Sequence, residues 1–208
     1  SLIIEGDGEL RAQAGTASAG FGAAGIGGGY DGDFGDITIN GGIITAGGTV
    51  GGAGIGGGYE VNIGASQTGN ITINGGYVKA IGGSIVADSS AGAGIGAGEN
   101  ANYGGTITIT GGVVYAQSGK EDMASIGGGG SIIGDTDHGT FSTGTNGNAV
   151  IVAPNGIGAN QNAREWDGIF VSYSGDENSA TMDRNGNVTL NDSDANIQVW
   201  GEPVLDYD

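Results

Sequence analysis

The chain has no cysteine among its 208 residues, so neither a disulfide framework nor a thiolate metal site is open to it. It has only 2 prolines, too few for collagen, whose triplets need proline beside glycine. Basic residues are nearly as scarce, with 5 Lys and Arg against 23 Asp and Glu and a net charge of −18. Five scattered cations cannot build the basic face that displaces phosphate counterions, which excludes nucleic acid as a partner. An anionic membrane surface would repel the chain for the same reason. No apolar run approaches the roughly 20 residues that span a bilayer, so no membrane insertion is expected. No signal-peptide pattern or initiator methionine precedes Ser1, which reads as the start of a mature or excised piece.

What fills the space is glycine, 50 residues of 208 against a usual share of roughly 7%. Apolar residues reach 37%, many of them isoleucine, valine and alanine, enough for a thin core of small and β-branched side chains. The arrangement of these residues is periodic. Ile-Thr-Ile-Asn-Gly-Gly runs from Ile37 to Gly42 and again from Ile71 to Gly76, and a third copy from Ile107 to Gly112 has Thr110 in place of asparagine. Each copy leads into a short strand-like piece: Ile43 to Ala46, Tyr77 to Ala80 and Val113 to Ala116. Leu2 to Ala12 reads as a degenerate earlier copy with one extra residue, and Asn148 to Ile157 as a worn later one. Between them lies Ala-Gly-Ile-Gly-Gly-Gly and its variants, whose isoleucines are Ile26, Ile55, Ile95 and Ile126. Constant short strands joined by elastic polar loops are the signature of stacked coils.

Ile71-Thr72-Ile73 alternates apolar and polar, a β pattern, and glycine at about 1 kcal/mol per interior position argues against a helix. Asn40 and Asn74 precede each Gly-Gly turn, where an amide can bond to its copy one coil away. The expected fold is therefore all-β: a parallel β-helix with coils of about 30 to 36 residues over residues 1–163, closed by an atypical C-terminal cap over 164–208. Two smaller coils per repeat stays open. Trp166, Phe170 and Trp200 suit the cap, and the uncapped N-terminal end suggests another module ahead of Ser1. In this phase Ile37, Ile71 and Ile107 form one inward column and Ile39, Ile73 and Ile109 a second, while Thr38, Thr72 and Thr108 make an outward ladder. Arg11, Thr45, Lys79 and Tyr115 project outward on the next face between buried Leu10, Ile44, Val78 and Val114, with Tyr77 nearby.

The alternation of Ala-Gly-Ile-Gly-Gly-Gly with Ile-Thr-Ile-Asn-Gly-Gly-x-Val-x-Ala resembles a repeat of secreted, adhesin-like cell-surface proteins of Gram-positive bacteria. The resemblance covers about residues 20–130, and Trp166 to Ile169 is similar to what often follows such repeats. It implies an extracellular or secreted β-helix for adhesion or carbohydrate contact, with a polysaccharide or host glycan as partner and no catalytic residues. A broader likeness to β-helical carbohydrate-binding domains implies calcium and acidic polysaccharides.

On the residues themselves, Arg11, Thr45, Tyr77, Lys79 and Tyr115 share a flat face where rings could stack on sugars and polar groups could bond hydroxyls. The plainer reading is that they cover a strand face and blunt its edges. Asp31, Asp33 and Asp36 offer alternating carboxylates in a glycine loop, the pattern a calcium ion with about six to eight oxygen ligands wants. Asp183-x-Asn185-x-Asn187 is a weaker EF-hand-like start, and Asp135 with Asp137 a third cluster. Solvating surface carboxylates are the alternative for each. His138 reads as a loop residue. A structural stalk that stacks on neighbouring β-helix modules is the second functional reading. A polysaccharide lyase or glycoside hydrolase is the third; it would need two or three convergent carboxylates of split pKa, or a cation beside metal-binding aspartates.

Overall fold

A computed structural model of the chain describes residues 1–15, 21–60, 62, 65–84, 91–121, 123–130, 138–143, 149–158, 160–161, 169–171, 180–182 and 188–190. The chain is a parallel β-solenoid of about four turns, with no helix among the described residues. Each repeat makes one coil, since Leu2 pairs with Ile37, Ile37 with Ile71, Ile71 with Ile107 and Ile107 with Phe141. The alternative of two coils per repeat is thereby excluded. Three parallel sheets run the length of the stack. The first holds the Ile-Thr-Ile strands Ile37–Ile39, Ile71–Ile73 and Thr106–Ile109, and the second holds Ile43–Gly47, Tyr77–Ile81 and Val113–Gln117. The third is made of two-residue Ile-Gly strands, Ile26–Gly27, Ile55–Gly56, Ile95–Gly96 and Ile126–Gly127. A short fourth ladder pairs Ala65–Gln67 with Ala101–Tyr103.

The columns follow from the alternation in the sequence. Ile37, Ile39, Ile71, Ile73, Ile107 and Ile109 are all buried, as are Ile26, Ile55, Ile95 and Ile126 from the third sheet. Ile44, Val78 and Val114 close the core from the second sheet, with Ala46, Ala80 and Ala116 beside them. Thr38, Thr72 and Thr108 form the half-buried outer ladder. At the corner after the first sheet, Asn74 Nδ2 donates to Asn40 Oδ1 at 2.9 Å and Thr110 Oγ1 donates to Asn74 Oδ1 at 2.8 Å. The asparagines thus bond coil to coil as their position predicts, and the threonine that replaces one keeps the chain of bonds intact.

The structure corrects the sequence at both ends. Leu10 has the inward phase, in register with Ile44, yet it is 38% exposed because it lies in the first coil and nothing covers its outer edge. The last described coil begins earlier than its pattern suggests. Thr140–Ser142 takes the first-sheet position without an Ile-Thr-Ile signature, Phe141 filling the isoleucine site at 1% exposure, and Val150–Val152 takes the second. Strand Ile169–Val171 then pairs in register with Val150–Val152, which adds one more strand to the second sheet. An antiparallel pair, Ala180–Met182 with Val188–Leu190, follows. Trp166 and Trp200 of the expected cap lie outside the described residues.

Candidate functional site

In the second-sheet strands up to Val113–Gln117 the odd-numbered positions point outward. Arg11, Thr45, Lys79 and Tyr115 are successive register partners, with Tyr77 two residues before Lys79 on the same side. Arg11 is exposed and donates from Nε to Glu9 Oε1 at 2.7 Å. Lys79 is exposed, and its Nζ lies 5.7 Å from the centroid of the Tyr115 ring, a cation–π distance. Tyr115 departs from expectation. It is only 6% exposed, its hydroxyl donates to Gln117 Oε1 at 2.8 Å, and its register neighbour Val152 is itself buried. The ring is part of a covered apolar patch, and the open part of the face is Arg11, Thr45, Tyr77 and Lys79.

The three aspartates of the calcium candidate turn to different partners. Asp33 Oδ1 accepts from the Thr68 amide at 3.0 Å, and Asp36 Oδ1 accepts from the Asn70 amide at 2.9 Å and from Asn70 Nδ2 at 3.1 Å. Both carboxylates tie the first coil's loop to the second coil. Asp31 turns instead to Glu60, within hydrogen-bonding reach. Among the described residues no group of three or more His, Cys, Asp or Glu side chains is arranged to hold a metal ion. Asp135, Asp137 and Asp183 to Asn187 lie outside the described residues. His138 acts as a loop acceptor, taking the Gly128 amide on Nδ1 at 3.0 Å.

A second grouping was not assembled from the sequence. Tyr30 and Tyr59 each follow three glycines and each precede an acid, and the coils place them in one column. Asp31 N donates to Tyr59 O at 2.8 Å and Glu60 N to Glu99 O at 3.0 Å, which sets Asp31, Glu60 and Asn100 side by side and Tyr30, Tyr59 and Glu99 beside them. Phe21 packs on both tyrosines, with ring centroids 5.1 Å from Tyr30 and 4.8 Å from Tyr59, and the two tyrosines stack at 6.0 Å and 18°. Aligning Gly27–Asp31 with Gly56–Glu60 would have revealed this corner, but the uneven spacing of the Ala-Gly-Ile-Gly motif hid it. The corner needs unusual backbone: Asp31 and Asn100 have φ of 54° and 66°, a region asparagine and aspartate tolerate better than most.

Glu60 is buried, and its Oε1 accepts from the Asn62 amide at 3.0 Å. Burial holds its carboxyl above the usual 4.5, and the hydrogen bond and charge of Asp31 push in the same direction, while the Asn62 amide opposes them. The folded state therefore binds this proton more tightly than the unfolded chain. Its contribution to stability is complete below 4.5 and is lost as pH rises through the higher folded value. Glu60→Gln, which keeps the acceptor for Asn62, should melt above the parent at pH 7, with the difference closing as pH falls below 4.5. Thermal melts of both proteins across that range check the sign; a Glu60→Gln protein less stable at pH 7 contradicts it.

Comparison with known proteins adds the architecture alone. The family model for beta helix repeat matches residues 37–59, 71–99 and 107–130. No curated protein and no solved structure matches the chain. Each matched segment begins at the Ile of a first-sheet strand and runs on past the third sheet into the glycine-rich loop, so that the match to the beta helix repeat follows three successive coils.

Proposed function

We propose that the chain is a non-catalytic module of a secreted or cell-surface bacterial protein, adhesin-like, that binds a polysaccharide or host glycan laid across the second sheet. The observation that carries this reading is the outward column itself. Arg11, Thr45 and Lys79 follow one another coil by coil at about 4.8 Å, with the single ring of Tyr77 alongside, so that polar donors repeat along a flat track on the scale of an extended sugar chain. Rigid strands hold these groups in place before any ligand arrives, which limits the ordering cost of binding.

A glycan screen with and without calcium tests the reading. At least one polysaccharide should be retained, and Tyr77→Ala with Lys79→Ala should weaken it at least about tenfold, or ~1.4 kcal/mol. Calcium assistance, if the Asp31 to Asp36 loop supplies it, appears as retention and a melting-temperature gain that chelator removes. Retention of no glycan, or retention indifferent to both substitutions, overturns the proposal, and release of reducing or unsaturated ends would mark an enzyme instead.

A stalk is the second reading, favoured by the exposed first coil, where Leu2 is 44%, Ile3 61% and Leu10 38% exposed beside the unpaired edges of the first and second sheets. Such an edge suits another coil of the same period.

A further inference from the structure

We propose that the corner where Phe21, Tyr30 and Tyr59 stack beside Asp31 and Glu60 is a second glycan site, selective for a pyranose that carries a free, protonated amine. It is separate from the second-sheet face and rests on the preceding reading only in taking a sugar as its ligand.

Tyr30 stacks on both Phe21 and Tyr59, and Phe21 tilts at 41° against Tyr59; the three rings form a ledge rather than a closed cage, since centroids of 4.8 to 6.0 Å leave no room between them. What they offer is an outer face, and Tyr30, 44% exposed, provides it. A ring face of this kind takes the C–H side of a sugar and also attracts positive charge through its quadrupole. The polar surroundings select for that charge. Asp31 is exposed at the ledge and lies against Glu60 from the next coil, a pair of like-charged groups that a cation relieves. Beneath the rings, Asn100 donates from Nδ2 to the Tyr59 hydroxyl at 3.2 Å, while its Oδ1 is buried and lacks a hydrogen-bond partner among the described residues. Asn100 is 3% exposed and holds the Tyr59 hydroxyl from inside the fold. An ammonium-bearing sugar brings the positive charge that Asp31 offers to meet. A uronate would meet repulsion, and N-acetylation of the amine removes what the carboxylates recognise.

The test uses the full chain and three probes of equal length: a fully de-N-acetylated glucosamine oligomer, its N-acetylated counterpart and a neutral glucose oligomer. The amine oligomer should bind at least tenfold tighter than the other two at low salt, with a preference that shrinks as ionic strength rises. The net charge of −18 attracts any polycation, so Asp31→Asn decides the matter. It changes the total by one charge and suits the same positive-φ backbone, yet it should remove most of the preference. Tyr30→Ala should weaken the amine oligomer as well. Equal binding of amine and N-acetyl oligomers, absence of binding, or a preference untouched by Asp31→Asn overturns the site. Failure of the second-sheet reading is distinguishable, because it would leave these corner effects in place.

Discussion

Gly96→Ala should destabilise the fold by about 4 kcal/mol or more, adding backbone strain of roughly 1–3 kcal/mol to an overpacking cost of similar size. Gly27, Gly56, Gly96 and Gly127 are register partners in the third sheet and share φ values of 130° to 133°, open in practice to glycine alone. A Cβ on Gly96 would sit 1.9 Å from the Gly127 carbonyl oxygen, and that oxygen belongs to backbone, which cannot swing aside as a side chain can. The adjacent glycine column supplies the control. A Cβ on Gly98 would lie 2.0 Å from the Gly58 oxygen, and one on Gly58 would lie 2.1 Å from the Gly29 oxygen, whereas Gly29, in the first coil, would meet nothing within 4 Å. Gly29→Ala should therefore be near neutral while Gly98→Ala is severe, with the neighbouring coil as the main difference. Urea or thermal unfolding of Gly96→Ala, Gly98→Ala and Gly29→Ala reads this directly. A Gly96→Ala protein within about 1 kcal/mol of the parent would refute the packing of the coils, since ordinary surface substitutions already fall in that range.

The next largest effect is expected at Gln67, which is 1% exposed and spans two coils. Its Nε2 donates to Gly58 O at 2.7 Å and its Oε1 accepts from Gly98 N at 3.0 Å. Gly58 and Gly98 lie two residues beyond the short third-sheet strands, and the side-chain amide joins their backbone groups across the two coils. Gln67→Leu keeps the volume but strands a buried carbonyl and a buried N–H at about 1–3 kcal/mol each. The substitution should therefore cost about 2–5 kcal/mol in denaturant unfolding without changing the m-value, because the folded state stays equally compact. A loss under about 1 kcal/mol would mean that those groups find other partners.

Much of the fold was legible because its signals are local and repeated. Ile-Thr-Ile fixes which side chains point inward, Asn-Gly-Gly marks the corner, and spacings of 34 to 36 residues reveal the coil through the pairings of Ile37, Ile71, Ile107 and Phe141. What stayed hidden depends on neighbours that sequence does not order. Phe141 occupies an isoleucine site with none of the repeat's pattern around it. Tyr115 carries the outward phase, but what packs beside it is a tertiary fact, and Val152 alone gives no hint of it. Gln67 looks like an ordinary loop glutamine until Gly58 and Gly98 are brought to it. The same holds for the candidate sites. Arg11, Thr45 and Lys79 were correctly aligned because their strands repeat with the coil, whereas the Tyr30 and Tyr59 corner belongs to loops where the repeat length swings between coils. Asp33 and Asp36 are plausible cation ligands by composition, and only the position of Thr68 and Asn70 one coil away shows where their oxygens turn.

The direction of the hydrogen bonds has a mechanical consequence. In all three long sheets the bonds run from coil to coil, along the axis of the stack and across the strands. Tension applied along that axis pulls every bond between two neighbouring coils at once, so resistance is shared until one boundary gives way. The boundary that yields then releases the whole loop of chain between it and the next, and the force falls before the following coil takes the strain. A stack built this way holds stiffly at small extension and lengthens in steps, each the contour of one coil.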